Sequence, residues 1–468
     1  MPSFKQQIPT PLECLKTVIK TAVAGMDDLK KNPADFTRNR KMDAESTIKT
    51  ILNMGGQSLD DELIDAFPEL SGEERISEPG FEQQKAKLCP EIFRRIMRQF
   101  NMTMPDDSSR LLGGKYLVCA IDGSDFNLPW NPDSVYVVTN PSGRPRNDGT
   151  PPDPYCQVHV STLYNCSEET YIDVVFQPKI KADEREAAIQ LMQDLHPDKP
   201  MIVLMDRGYE SLNLIQHFNI ADDNLKYCIR MKCGNKALAE IAALPDEECD
   251  IDVDILVTTS YENFKAHKDI KAIHYIRCPK KSHIDPKNMT SATRYQRWDH
   301  GDMVHVKFRL VKFRIAEGTD KEKWEVIATN LPRDEFSAQK IKVLYHERWK
   351  IESSYRKLKY DLSGAQFHSL RSDFCEMELL AQMTMYNVVS RTVKAVDIPR
   401  KINSKHRYEV SFSIAATIVR KYFRDGCRKA PNDIYNEIIH YRHKKDSGPA
   451  KERNMKPKSA IVFWYRIA

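Results

Sequence analysis

The chain has 468 residues, 41% hydrophobic and 29% charged, enough for two to four domains of roughly 150 residues each and too apolar for global disorder. Its formal net charge is only +5, but from Arg391 onward it carries 19 Lys/Arg against 7 Asp/Glu; such a basic terminal block either attracts a polyanion, nucleic acid first, or is simply solvated. No apolar run approaches the roughly 20 residues a bilayer demands, residues 1–7 form no signal core, and the cysteines include no Cys-x2-Cys pair, so a cytosolic protein with reduced thiols, no membrane span and no structural zinc is expected.

Residues 10–104 read as helical, with Leu12, Leu15, Val18 and Ile19 and then Ile48, Ile51 and Leu52 at helical spacing. Ser58 and Ser77 are N-cap signals for two short helices, the second offering Gln83, Gln84, Lys85 and Lys87. A helix-turn-helix or a plain packing pair both fit. The texture changes at Tyr116, where residues 116–121 form an apolar strand ending on Asp122-Gly123-Ser124. A Pro/Gly/Asn-rich loop over 127–154 holds Arg144 and Arg146, which either contact DNA or sit in a disordered segment. Strand patterns follow at 156–163 and 171–176, a helix at 182–195, and a buried strand at 201–205 ending on Asp206-Arg207-Gly208-Tyr209. A short helix to about 218 and a strand over 226–231 complete the order strand, strand, strand, helix, strand, helix, strand. From about 234 to 333 the pattern is mostly extended, then one helix is expected from 337 to about 359, a helical region over 376–392 and the basic tail.

Asp122 and Asp206 both stand at the C-terminal ends of apolar strands, where ligands of open α/β sheets bind. Each is followed by a Gly-containing turn. Glu352 supplies a third carboxylate: on a wheel of about 100° per residue, Tyr345, Arg348, Glu352 and Lys359 fall within about 60° of one another, beside the seam of Leu344, Ile351 and Leu358. Arg348 and Glu352 at i, i+4 equally suit a solvated ion pair. Hard oxygen donors of this kind suit two Mg²⁺ ions, with Mn²⁺ as a substitute, leaving positions for water and phosphate. Arg348 and Lys359 would then meet phosphate oxygens, with Tyr345 as a hydrogen-bonding neighbour.

Tyr345-x2-Arg348-x3-Glu352-x6-Lys359 resembles the Tyr-Arg-Glu-Lys signature of a large group of bacterial insertion-sequence transposases with an Asp-Asp-Glu triad. Asp122-Gly123-Ser124 and Asp206-Arg207-Gly208-Tyr209 are similar to that family's first- and second-aspartate segments, in the same order, so the resemblance spans about 112–370. It implies an α/β fold: a ribonuclease-H-like catalytic core interrupted by a mostly β insertion and flanked by helical N- and C-terminal regions. The corresponding domains are 1–111, helical and DNA-binding; 112–233, first part of the core; 234–336, the β-rich insertion; 337–372, the completing helix with Glu352; and 373–468, helical and basic. It also implies Asp122, Asp206 and Glu352 as catalytic metal ligands and Tyr345, Arg348 and Lys359 as DNA contacts. The partners implied are double-stranded DNA, both terminal inverted repeats and target, and a second copy of the chain in the DNA complex. Members of the signature group are associated with a hairpin at the element end, for which Trp324 and Trp349 are candidate base-stacking residues, although Trp349 also reads as a packing residue.

The expected function is therefore a DNA transposase that cuts at element ends and joins the freed 3′-hydroxyls to target DNA; a non-catalytic DNA-binding derivative is the alternative. His159 reads as a satisfied sheet histidine or a neighbour of the metal site, and Asp125 as a solvent-facing turn residue or an extra polar group beside Asp122. An aspartyl-phosphate phosphohydrolase would want a carboxylate at position 124, which is Ser. No Gly-x4-Gly-Lys loop occurs, so no nucleotide cofactor is expected.

Overall fold

Local capping starts the helices where the sequence signals them. In the computed structural model Thr10 and Glu13 form a reciprocal capping box at the head of α1 (Pro11–Ala24), and Ser58 and Ser77 cap α3 (Leu59–Ala66) and α4 (Glu78–Lys85). The structure describes residues 9–38, 40–139, 149–150, 153–193, 195–233, 237–270, 272–276, 297–315, 324–398, 408–425 and 431–444.

Helix α2 (Ala44–Asn53) lies between α1 and α3, and α5 (Glu91–Thr103) closes the N-terminal series. Then come β1 (Leu117–Leu128), β2 (Val137–Val138), β3 (Tyr155–Asn165), β4 (Thr170–Pro178), α6 (Glu184–Gln193), β5 (Met201–Met205), α7 (Leu212–Ile220) and β6 (Leu225–Met231). Apart from the short β2, this is the expected strand and helix order. The extended segment contains α8 (Ala239–Ala242), β7 (Cys249–Thr258), α9 (Tyr261–Ala266), β8 (Ile273–Tyr275), β9 (Val304–Arg314) and β10 (Trp324–Thr329). After it come α10 (Ala338–Tyr345), α11 (Trp349–Arg356), α12 (Ser372–Ala395), β11 (Tyr408–Val410), α13 (Phe412–Arg424), α14 (Pro431–His440) and β12 (Arg442–Lys444). The fold is α/β with a large mixed sheet, as a ribonuclease-H-like core requires.

The chain forms two compact units. The helical unit holds the described residues within Met1–Arg110, Gly123–Ala182 and Lys350–Ala468. Its axis is α12, buried along most of its length and packed by α1, α2, α5, α13 and β4. Charges buried along it are paired: Glu168 takes Arg110 at 2.7 Å and Arg391 at 2.9 Å, and Glu378 takes Lys85 at 2.6 Å. Strand β3 pairs antiparallel with β4, and its first two residues with β2.

The sheet unit holds Leu111–Asp122 and the described residues of Asp183–Trp349. Here β1, β5 and β6 run parallel, and all five residues of β5 are buried, as a strand covered on both faces must be. Strand β10 pairs antiparallel with β6 and β9 with β10 and β7, so the extended segment continues the same sheet.

Three expectations change. A helix-turn-helix uses a turn of about three or four residues, whereas residues 67–77 separate α3 from α4, and Lys85 is buried against Glu378 rather than offered to DNA. The single helix expected over 337–359 is four pieces: α10, a 3₁₀ turn at His346–Arg348, α11, and a π turn at Lys357–Asp361. Asp125 does not face solvent on a turn, because it continues strand β1 and is paired. Among the described residues, no helix is long and apolar enough to cross a membrane.

Candidate active site

The two aspartates are related by strand register. Strands β1 and β5 pair from Leu117 with Met201 to Ala120 with Leu204. Continued two residues beyond that pairing, the same register would set Asp122 opposite Asp206, which follows the last residue of β5, on strands spaced about 4.8 Å apart. Both are half-buried.

The turn after β5 fixes the second carboxylate. Asp206 Oδ1 accepts from the Gly208 amide at 2.7 Å and caps the 3₁₀ turn Arg207–Tyr209, while Arg185 Nε donates to the Gly208 carbonyl at 3.0 Å. A Cβ on Gly208 would stand 2.9 Å from Asp206 Oδ1 and 3.2 Å from Glu184 Oε2. Glu184 and Arg185, at the head of α6, were not foreseen as neighbours of this turn; the only hint is the charged run 183–186, which reads as an ordinary helix start.

Tyr345 is buried, and its hydroxyl donates to the carbonyl of Met205 at 3.2 Å, tying α10 to the end of β5 one residue before Asp206. Burial pushes its pKa up. Arg348 is buried as well, with its guanidinium carbon 5.7 Å from the Tyr345 ring centroid and 4.9 Å from that of Trp349. Trp349 is 51% exposed, so the packing reading does not hold for it. Trp324 is engaged differently: its indole N–H donates to Asp246 at 2.6 Å and Lys312 stands 4.6 Å from its ring centroid.

Tyr345 and Arg348 belong to the sheet unit with the aspartates, whereas Glu352 and Lys359 belong to the helical unit. Glu352 is half-buried in the first turn of α11. The ammonium of Lys359 donates to Ser124 Oγ and to the Asp125 carbonyl, each at 2.8 Å. Burial pushes its pKa down, and the Asp125 carboxylate works against that. Asp125 takes His159 Nδ1 at 2.7 Å and Lys179 Nζ at 2.5 Å. Burial drives its carboxyl pKa upward, but His159 and Lys179 outweigh that and hold it below its usual value. His159 is thus a sheet histidine whose Nδ1 is held by Asp125.

Among the described residues, no group of three or more His, Cys, Asp or Glu side chains is gathered to hold a metal ion. The donor chemistry nonetheless fits a hard divalent cation, since Asp122, within β1, and Asp206, just past the end of β5, are hard oxygen donors on adjacent paired strands. Arg144, Arg146 and the basic tail over 445–468 lie outside the described residues.

A family model described as the transposase DDE domain matches residues 113–388. No curated protein sequence matches the chain. Among solved structures, it is similar to a piggyBac transposase synaptic complex with hairpin DNA, at 9% identity and a TM-score of 0.45, over 97% of this chain and 90% of that one.

Proposed function

The chain belongs to the transposase DDE-domain family, and from that premise we propose that it cuts DNA at the ends of a mobile element and joins the freed ends to a target. The observation that carries the reading is the parallel pairing of β1 with β5, whose register, continued two residues, would set Asp122 against Asp206. Asp122, Asp206 and Glu352 would hold two Mg²⁺ ions, or Mn²⁺ in their place. Bound there, such ions supply Lewis-acid activation of the attacking oxygen and stabilise the leaving one.

The chain's own residues bind and orient. The Gly208 amide holds one oxygen of Asp206, and Tyr345 braces the strand that delivers it. Arg348, buried beside Tyr345 and Trp349, would have to be uncovered to meet the phosphate backbone, where a guanidinium can bind two oxygens at once. Exposed Trp349 is the aromatic surface available to an unstacked base at the element end. In the first step a water oxygen bonds to phosphorus and the 3′-oxygen leaves as a hydroxyl. In the second, that hydroxyl attacks a target phosphodiester and displaces another 3′-oxygen. Each bond formed replaces one broken, so neither a covalent protein intermediate nor nucleotide hydrolysis is required. The basic C-terminal region draws the inverted repeats and target DNA electrostatically, and two copies of the chain pair the ends.

The test is a denaturing gel of a duplex carrying the inverted repeat that flanks the chain's own gene, incubated with Mg²⁺ and either the wild type or Glu352→Gln. Cleavage at the repeat boundary, lost in the variant, is expected. Binding without cleavage by the wild type would instead identify a non-catalytic DNA-binding derivative.

A further inference from the structure

The signature resemblance gives Lys359 to the DNA backbone, yet its ammonium is already engaged within the protein. Two of its three donors are spent on Ser124 Oγ and the Asp125 carbonyl, and it stands 4.5 Å from the Phe126 ring centroid. Three consecutive residues of β1 are therefore gripped by one side chain. The grip is reinforced: Asp125 is pinned by His159 and Lys179, and fully buried Phe126 meets Tyr355 of α11 edge to face at 6.4 Å. The hydroxyl of Tyr355 bonds Thr162 Oγ1 at 2.8 Å and donates to the Val160 carbonyl at 3.1 Å, so the same helical run also holds β3. Lys359 lies in the π turn Lys357–Asp361, a local widening that often marks a functional position.

Ser124 and Asp122 are two residues apart in one strand, so their side chains share a face. Holding Ser124 constrains the stretch of β1 backbone that also carries Asp122. A phosphate contact would require the ammonium to give up these bonds and its place over Phe126.

We propose that Lys359 is a positioning residue: it holds β1 just beyond Asp122 through Ser124 and Asp125, and so sets where the first catalytic carboxylate stands, rather than contacting a backbone phosphate. This rests on the reading of Asp122 as a metal ligand in DNA cleavage.

The experiment compares the full-length wild type, Lys359→Met and Ser124→Ala on the end duplex. Binding is measured from low to high salt, and single-turnover cleavage is followed across a Mg²⁺ titration. A positioning role predicts end-DNA affinity and its salt slope unchanged in both variants. It also predicts a loss on the order of tenfold in cleavage rate or in apparent Mg²⁺ affinity, as when a supporting partner of a metal ligand is removed. The double variant should be no worse than Lys359→Met, because both changes break one interaction. A phosphate contact predicts weaker binding and a salt slope reduced by about one, and that result overturns the proposal. If Lys359→Met does not fold, Ser124→Ala decides: unchanged cleavage and Mg²⁺ dependence overturn the proposal. No cleavage by the wild type would sink the functional reading itself, whereas wild-type cleavage with a shallower slope in Lys359→Met would sink only the positioning role.

Discussion

Gly208 is required less for a turn angle than for the oxygen beside it. Its amide donates to Asp206 Oδ1, and an added Cβ would come within 2.9 Å of that oxygen, so any larger residue displaces the carboxylate the turn exists to hold. Gly208→Ala should therefore lower end cleavage by roughly 10- to 100-fold, the scale of a small misplacement at a reacting centre. Stability should change little, because the clash falls on a half-buried side chain. A thermal melt beside single-turnover cleavage checks this; equal activity would show that Asp206 tolerates the shift. The glycine was visible in the sequence as part of a motif. Its reason was not, because Glu184 and Arg185 reach it from a helix that only the fold brings near.

At the scale of elements, the strands were legible and the helix geometry was not. Uninterrupted apolar runs at 116–121 and 201–205 announce buried parallel strands, and both aspartates sit where those runs stop. The register that would set them opposite each other is a property of pairing between strands about eighty residues apart, which no local pattern encodes. The wheel over 337–359 assumed a constant 100° per residue, and the 3₁₀ and π turns break that rotation on either side of Glu352. Tyr345 accordingly turns inward to Met205 and Lys359 to Ser124, so two residues expected at the DNA both bond within the protein. Tyr345→Phe removes one hydrogen bond between α10 and β5. It should cost about 0.5–1.5 kcal/mol of stability and slow cleavage, while end-DNA binding keeps its salt dependence. A variant with weaker, less salt-sensitive binding would show that the phenol contacts phosphate.

At the scale of the molecule, a buried ion pair links the N-terminal helices to α12 across nearly 300 residues of sequence. Burial alone would raise the Glu378 pKa, but Lys85 and His368 outweigh it and bring it down to about 2 from an ordinary 4.5. A depressed carboxylate pKa stabilises the fold above the unfolded value and loses that contribution as pH falls through the folded one. A shift of this size corresponds to ~3 kcal/mol. Urea unfolding should show wild-type stability dropping between about pH 4.5 and pH 2, and the part due to this pair should vanish in Glu378→Gln. A pH profile identical in the two proteins would contradict that assignment. The pairing was hidden in the sequence, where Lys85 read only as one of the polar residues of a helix that fitted either a helix-turn-helix or a plain packing pair.

Exchanging the oxygen donor of Asp122 for sulfur tests most directly whether Asp122 is a metal ligand in DNA cleavage. Thiolate is a poor ligand for Mg²⁺ and a better one for softer ions, so cleavage of the end duplex by Asp122→Cys should be lost with Mg²⁺ and recovered at least in part with Mn²⁺. Full cleavage by Asp122→Cys with Mg²⁺ would contradict the account.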